Sequence, residues 1–173
     1  DETERLNSIV TKILTPPKKP KLELFNIHSA LEKVFALSQV DKDDVLTLKR
    51  DYDPSIPEIH GDENLFIHAI LNIVKNAQQA LLHTNNPIIT IKSRVSYNQP
   101  INGNLHATVC EVSIIDNGPG IPSDIQEQVF FPMVSSKEDG SGLGLSISQD
   151  IIRIHGGSIS FKTKSGQTAF SIV

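Results

Sequence analysis

Leu71-Asn72-Ile73-Val74-Lys75-Asn76-Ala77-Gln78-Gln79-Ala80 is the stretch on which the reading of this chain turns. It lies inside the longest helical pattern, residues 62–82. At about 100° per residue, Asn72, Asn76 and Gln79 fall on one narrow stripe. His68 and Lys75 border it. Leu65, Ile70, Ile73, Val74, Ala77 and Leu81 cover much of the remaining surface. A solvated helix face normally carries Glu and Lys. Asn is a poor helix former because its amide competes for backbone hydrogen bonds. Two Asn four residues apart among apolar neighbours suggest a semi-buried polar groove holding a ligand. The other reading is that the amides bond adjacent loops, and the helix alone does not separate the two.

Working outward, Val109–Ile115 is an apolar strand that runs straight into Asp116-Asn117-Gly118-Pro119-Gly120. Asp-Asn-Gly is a turn signal and can be only that. An Asp at a strand end above two glycines can also accept a hydrogen bond from an exocyclic amine, and the glycines let a flat ring approach the backbone. Further on, Gly140-Ser141-Gly142-Leu143-Gly144-Leu145-Ser146 leads into a helical pattern at 143–155. Glycines before a helix start form an anion site, since free N–H groups and the helix dipole both favour phosphate. The spacing is neither a dinucleotide-binding fingerprint nor a Walker loop, and the protein-kinase signatures are missing. Taken singly, this loop is equally a flexible linker.

The remaining segments set the fold class. Residues 22–25 read as a short strand, and Asn26 as the cap of a helix at 27–38 with Leu31, Val34 and Phe35 inside and Glu32, Lys33 and Ser38 outside. Residues 45–49 alternate as a strand, and Asp53-Pro54 and Ile56-Pro57 mark turns, with His60 in a turn. Strands at 87–95 and 107–115 are joined by a polar segment, 96–106, read as a long hairpin loop. A short helix is expected at 122–129 and a loop at 130–141. Gly156-Gly157 stops the helix that ends at His155, where a cation suits the dipole. Strands at 158–164 and 167–173 close a hairpin across Ser165-Gly166. Three or four helices with strands in hairpins predict an α/β (α+β) two-layer sandwich: about three helices on a mixed, mostly antiparallel sheet.

The first 14 residues carry Leu6, Ile9, Val10, Ile13 and Leu14 at helical spacing, too short a helix to stand alone. Pro16, Pro17 and Pro20 then stiffen a connection, so the domain boundary is placed at 15–21. The chain starts mid-helix and ends within a strand-like run, which reads as an excised fragment. The net charge of −4 and the lack of Trp argue against a nucleic-acid partner. No run reaches the ~20 apolar residues needed to span a bilayer. One cysteine, Cys110, rules out an internal disulfide and reads as a buried strand residue in a reducing, cytoplasmic setting, without direct membrane contact.

In order, Asn-x3-Asn on a helix, D-N-G-P-G after a strand and G-x-G-L-G-L before a helix resemble the N, G1 and G2 boxes of the GHKL ATPase superfamily. Phe130-Phe131-Pro132 resembles its F box, and Gly166-Gln167-Thr168 its last glycine-threonine element. The resemblance spans about residues 22–173. Arg50-Asp51-Tyr52-Asp53-Pro54-Ser55-Ile56-Pro57, residues 71–77 and Phe131-Pro132-Met133-Val134-Ser135 look like the NtrB family of nitrogen-regulation sensor histidine kinases.

That resemblance implies the Bergerat ATP-binding fold, with ATP between the long helix and a lid at 130–141. Asn76 would coordinate Mg²⁺, Asp116 would receive the adenine amine, and Gly118, Gly120 and Thr168 would shape the adenine pocket. Gly140, Ser141, Gly142, Leu143, Gly144 and Leu145 would cradle the phosphates. Lys137 is a candidate γ-phosphate contact and Gln79 a groove residue, with Lys75 at its edge. Hydrolysing relatives place Glu at position 72. Asn72 cannot act as a general base, so the γ-phosphoryl is expected to pass to a histidine, leaving ADP. None of the six histidines precedes a Glu as the family's acceptor box requires. The acceptor is expected on a dimerisation domain of which residues 1–14 are a remnant. Implied partners are that domain, a response regulator of the NtrC kind and a PII signal protein. The parent would be a homodimer and this piece a monomer. A hydrolase or clamp of the same superfamily, or an ATP-gated binding module, is the alternative.

Overall fold

The computed structural model describes residues 19–40, 45–134 and 142–173. The expected 1–14 helix and most of the 15–21 connection lie outside the described residues, as do Lys137, Gly140 and Ser141. Period-two alternation builds the sheet. Ile89, Ile91, Val112 and Ile114 point to one face and are 0–1% exposed, while their neighbours in sequence face the other way. The strands are β1 (Glu23–Phe25), β2 (Thr47–Tyr52), β3 (Ile59–Gly61), β4 (Ile88–Ile101), β5 (Asn104–Asp116), β6 (Ile159–Lys164) and β7 (Gln167–Ile172). The main sheet has the order β2-β4-β5-β7-β6. Only β2–β4 is parallel. β1 and β3 form a separate antiparallel pair.

Three α-helices stand among the described residues: α1 (Ile27–Val40), α2 (Glu63–Ala80) and α3 (Gly144–Ile154). They form the second layer of an α+β sandwich. Asn26 caps α1, its Oδ1 accepting from the N–H of His28 and Ser29. Asp62 caps α2 by accepting from Leu65 N. The apolar face of α2 buries Phe66, Ala69, Ile70, Ile73, Val74 and Ala77. A fully buried Ile contributes about 1.5–3 kcal/mol, so this face, rather than propensity, holds the Asn-bearing helix. α2 and α3 run antiparallel. Gly144 meets Asn72, the Ser148 hydroxyl donates to Ala69 O, and His155 meets Asp62 at the far end.

Several expectations are corrected. Segment 96–106 is not a loop: β4 and β5 continue as a two-stranded ribbon to a tight turn at Asn102-Gly103, with φ of 49° and 83°. These positive angles are those of the turn that joins twisted strands with two residues. Ser38 is buried, not outside; its hydroxyl donates to Val34 O and its carbonyl accepts from Gln78. The predicted strand at 45–49 shifts to β2, leaving Val45 68% exposed. His60 belongs to β3, opposite Leu24, rather than to a turn. Residues 122–129 hold only one 3-10 turn, Gln126–Gln128. Cys110 is part-buried; burial pushes its thiol up to about 12, so it is inert at neutral pH.

Candidate functional site

The C-terminal half of α2, the N-terminus of α3 and the end of β5 converge. Asn72 donates through Nδ2 to Gly144 O at 3.3 Å. A side-chain carbon placed on Gly144 would sit 3.8 Å from Asn76 Nδ2. The start of α3 therefore lies directly beside the Asn stripe, at ordinary van der Waals distance. Asn76 is partly exposed, and its side-chain amide has no hydrogen-bond partner among the described residues. Gly144 O also accepts from the Ser148 hydroxyl, whose second contact is Ala69 O. This places the α3 N-terminus one turn from both asparagines. The N-cap residue, Leu143, gives that terminus no side-chain cap, and the first-turn N–H groups of a helix have no partner within the helix itself.

Asp116 ends β5 at 4% exposure. Its Oδ1 accepts from Gly118 N at 2.9 Å. The other oxygen has no hydrogen-bond partner among the described residues. Burial raises its pKa, against the lowering effect of the Gly118 N–H. A point 2.8 Å from Asp116 Oδ1, where a side chain on Gly118 would begin, lies 3.7 Å from Ala80 O and 3.5 Å from Leu81 Cδ2. The carboxylate therefore lies at the C-terminal end of α2, one turn beyond Asn76. Thr168 is its direct cross-strand partner on β7 and is 3% exposed.

Gly120, at φ 92°, touches β6 so closely that a side chain would lie 2.8 Å from Lys164 O. Gly142, at φ 63°, packs on the Met133 backbone, and Met133 N donates to Gly142 O at 3.0 Å. The expected lid is thereby pinned at its neck. Phe130, at its start, packs edge-on against Phe161 and Phe170. Leu143 and Leu145 are part-buried beside Gly144. Gln79 and Lys75 are exposed at the rim, as is His68.

Of the residues expected from sequence, Asn72, Asn76, Asp116, Gly118, Gly120, Gly142, Leu143, Gly144, Leu145 and Thr168 are gathered around this cleft. Three residues were missed. Ser148 lies four residues after Gly144, the spacing at which small residues let helices approach. Thr163 lies opposite Thr168 across the two-residue turn already read at Ser165-Gly166, and its hydroxyl accepts from Ile121 N at 2.9 Å. His155 was expected as a cation. Its Nε2 accepts from Asp62 N at 2.9 Å and lies 3.2 Å from Asp62 O, while Nδ1 is 2.7 Å from Ile151 O, so the ring ties the end of α3 to the start of α2.

Fold and site together define an α+β sandwich in which amides along one helix edge lie beside a glycine-bordered turn. Residues 61–173 match the family model described as histidine kinase-, DNA gyrase B- and HSP90-like ATPase, and the chain belongs to that family. It is 42% identical to the sensory histidine kinase/phosphatase NtrB of Vibrio alginolyticus over 99% of this chain and 49% of that protein. The NtrB of Salmonella typhimurium is 38% identical over the same shares. The chain spans about half the length of the curated relatives it matches. The nucleotide-free catalytic domain of histidine kinase ThkA superposes with a TM-score of 0.72 at 26% identity, covering 88% of this chain and 93% of that one.

Among the described residues no group of three His, Cys, Asp or Glu could hold a metal. The donor on offer is one neutral amide, Asn76. A hard oxygen donor of that kind suits Mg²⁺ arriving with phosphates, which supply the remaining ligands with water. It does not suit a metal bound on its own. Among the described residues no helix is long and apolar enough to cross a membrane.

Proposed function

We propose that this is the ATP-binding catalytic domain of a two-component sensor histidine kinase of the NtrB type. It transfers the γ-phosphoryl of ATP to a histidine on a dimerisation domain, for relay to an NtrC-like response regulator in nitrogen regulation. The observation that carries the reading is the convergence of Asp116, the Asn76 amide, which has no hydrogen-bond partner among the described residues, and the glycine-bordered start of α3 along one edge of α2. The likeness to NtrB proteins points to the pathway. A PII signal protein as a further partner and a cytoplasmic setting follow from the same likeness.

The residues act chiefly by position. Asp116 accepts the adenine amine, with Gly118 and Gly120 admitting the ring and Thr168 beside it. Gly142, Leu143, Gly144 and Leu145 present backbone N–H groups to the phosphates; Gly140 and Ser141 are assigned the same task, and Lys137 is a candidate γ-phosphate contact. Asn76 would hold Mg²⁺, which neutralises phosphate charge when bound. Asn72 is engaged with Gly144 O and is no base, so the site excludes activation of water and favours in-line attack by an imidazole. The test is to mix the chain with a separate dimerisation fragment bearing its histidine, add labelled ATP and look for phosphohistidine. Label on the fragment is expected; none on the chain alone. Rapid steady-state hydrolysis without transfer would overturn the reading.

A further inference from the structure

Asp116, Thr168 and Thr163 stand side by side in one row across three strands. Asp116 pairs with Thr168 between β5 and β7, and Thr168 pairs with Thr163 between β7 and β6. Directly opposed residues of antiparallel strands project to the same face. The two hydroxyl oxygens are 3.1 Å apart. Thr163 Oγ1 also accepts from Ile121 N, the residue after Gly120 in the glycine turn. Gly120 must lack a side chain for this contact, since a carbon there would lie 3.2 Å from Thr163 Oγ1 as well as 2.8 Å from Lys164 O.

A hydroxyl has one proton to give. Within this row, Thr163's proton has Thr168 Oγ1 as its acceptor, because the other contact of Thr163 is an N–H donor. If Thr168 donated instead, the Thr163 proton would have no partner among these groups. Thr163 is part-buried beside the buried Thr168, and forgoing such a bond there carries a cost. The favoured arrangement therefore runs from Thr163 to Thr168 and frees the Thr168 proton for the cleft. Beside it, Asp116 offers an acceptor.

We infer that Thr163 is a specificity-determining positioning residue: it holds the Thr168 hydroxyl as a donor next to the Asp116 acceptor, so that the pair complements a base edge with an amine beside a ring-nitrogen acceptor. Adenine has that edge; hypoxanthine and guanine present the reverse, a carbonyl beside an N–H. This rests on the proposed nucleotide-binding function and adds to it the residue that sets hydroxyl polarity. Bases are commonly discriminated through hydrogen bonds along this edge.

The test compares dissociation constants for Mg-ADP and Mg-IDP in wild type, Thr163→Val and Thr163→Ser by calorimetry. Wild type favours Mg-ADP. In Thr163→Val the Thr168 hydroxyl is free to turn and accept, and the ADP/IDP preference is expected to shrink about fivefold to tenfold, the size of one hydrogen bond. Thr163→Ser keeps the wild-type preference. Thr163→Ala, read the same way, serves if the valine variant fails to fold. Equal weakening for both nucleotides, with the ratio unchanged, makes Thr163 merely structural and overturns the inference. So does a serine variant that behaves like valine. No saturable binding of either nucleotide to folded wild type instead defeats the functional reading beneath it.

Discussion

The backbone N–H of Asp62 donates to His155 Nε2 at 2.9 Å, tying the first residue before α2 to the last turn of α3. The same Asp62 carboxylate accepts from Leu65 N and from Lys21 N. One cap thus joins the incoming chain, the helix with the asparagine stripe and the helix whose other end faces that stripe. His155→Ala strands the Asp62 N–H in a part-buried site. We expect a loss of about 1–3 kcal/mol in urea unfolding, with adenosine affinity of the folded protein changed less than about twofold. A loss below about 0.5 kcal/mol would show that the imidazole is incidental to the helix pair.

The proposed role of Asp116 trades stability for recognition. Burial raises its folded pKa, so the folded state holds this proton more tightly than the unfolded chain. Stability from the group is full below the unfolded value of about 3.9 and is lost as pH rises through the folded one. At neutral pH the ionised carboxylate therefore burdens the empty domain. Asp116→Asn should melt about 2–4 °C higher without ligand if about 1 kcal/mol is relieved, yet bind adenosine more weakly. Wild-type affinity should fall on acidification from a pH above the ordinary carboxylate range, as the acceptor is protonated, and the variant should lack that step. A variant that binds as well as wild type would remove Asp116 from base recognition.

Asn76 has a neutral amide with no hydrogen-bond partner among the described residues, one turn from Asp116. Asn76→Asp adds a negative charge where the proposed site puts the phosphates, while the proposed adenine end is unaltered. Mg-ATP affinity should drop about tenfold or more, and adenosine affinity should stay within about twofold. Equal losses for both ligands, measured by calorimetry, would show that position 76 serves the helix rather than the phosphates or their metal.

The parts legible in sequence were those set by short-range pattern. The α2 stripe, the Asn26 cap and the hairpin across Ser165-Gly166 follow from periodicity and turn chemistry. What escaped depends on partners distant in the chain. Ser38 reads as surface until Gln78, 40 residues away, donates to its carbonyl. β3 is three residues long and exists because β1 pairs with it. His155 reads only as the end of its helix until the N–H of Asp62, 93 residues back, donates to its ring. The ribbon at 94–111 was hidden by Pro100 and its polar residues, although Asn102-Gly103 is a strong local signal. Pro100 is tolerated because β2 stops pairing with β4 at Ser93, leaving that strand with a neighbour on one side only.

That ribbon gives a test free of packing effects. Gly103 has φ 83° and nothing within 4 Å of the position a side chain would take. A β-branched residue there meets only the backbone cost of a left-handed conformation, about 1–2 kcal/mol. Beyond Ser93 and before Val112, β4 and β5 pair with each other and, among the described residues, with no other strand. The penalty should therefore appear as local opening. In Gly103→Val, amide exchange of residues 95–110 should speed up about 5- to 30-fold, the ratio that 1–2 kcal/mol sets. Exchange at Ile89, Ile91 and Ile114, and nucleotide affinity, should stay as in wild type. Faster exchange throughout the sheet would mean that the ribbon is part of the cooperative core rather than an extension carried on it.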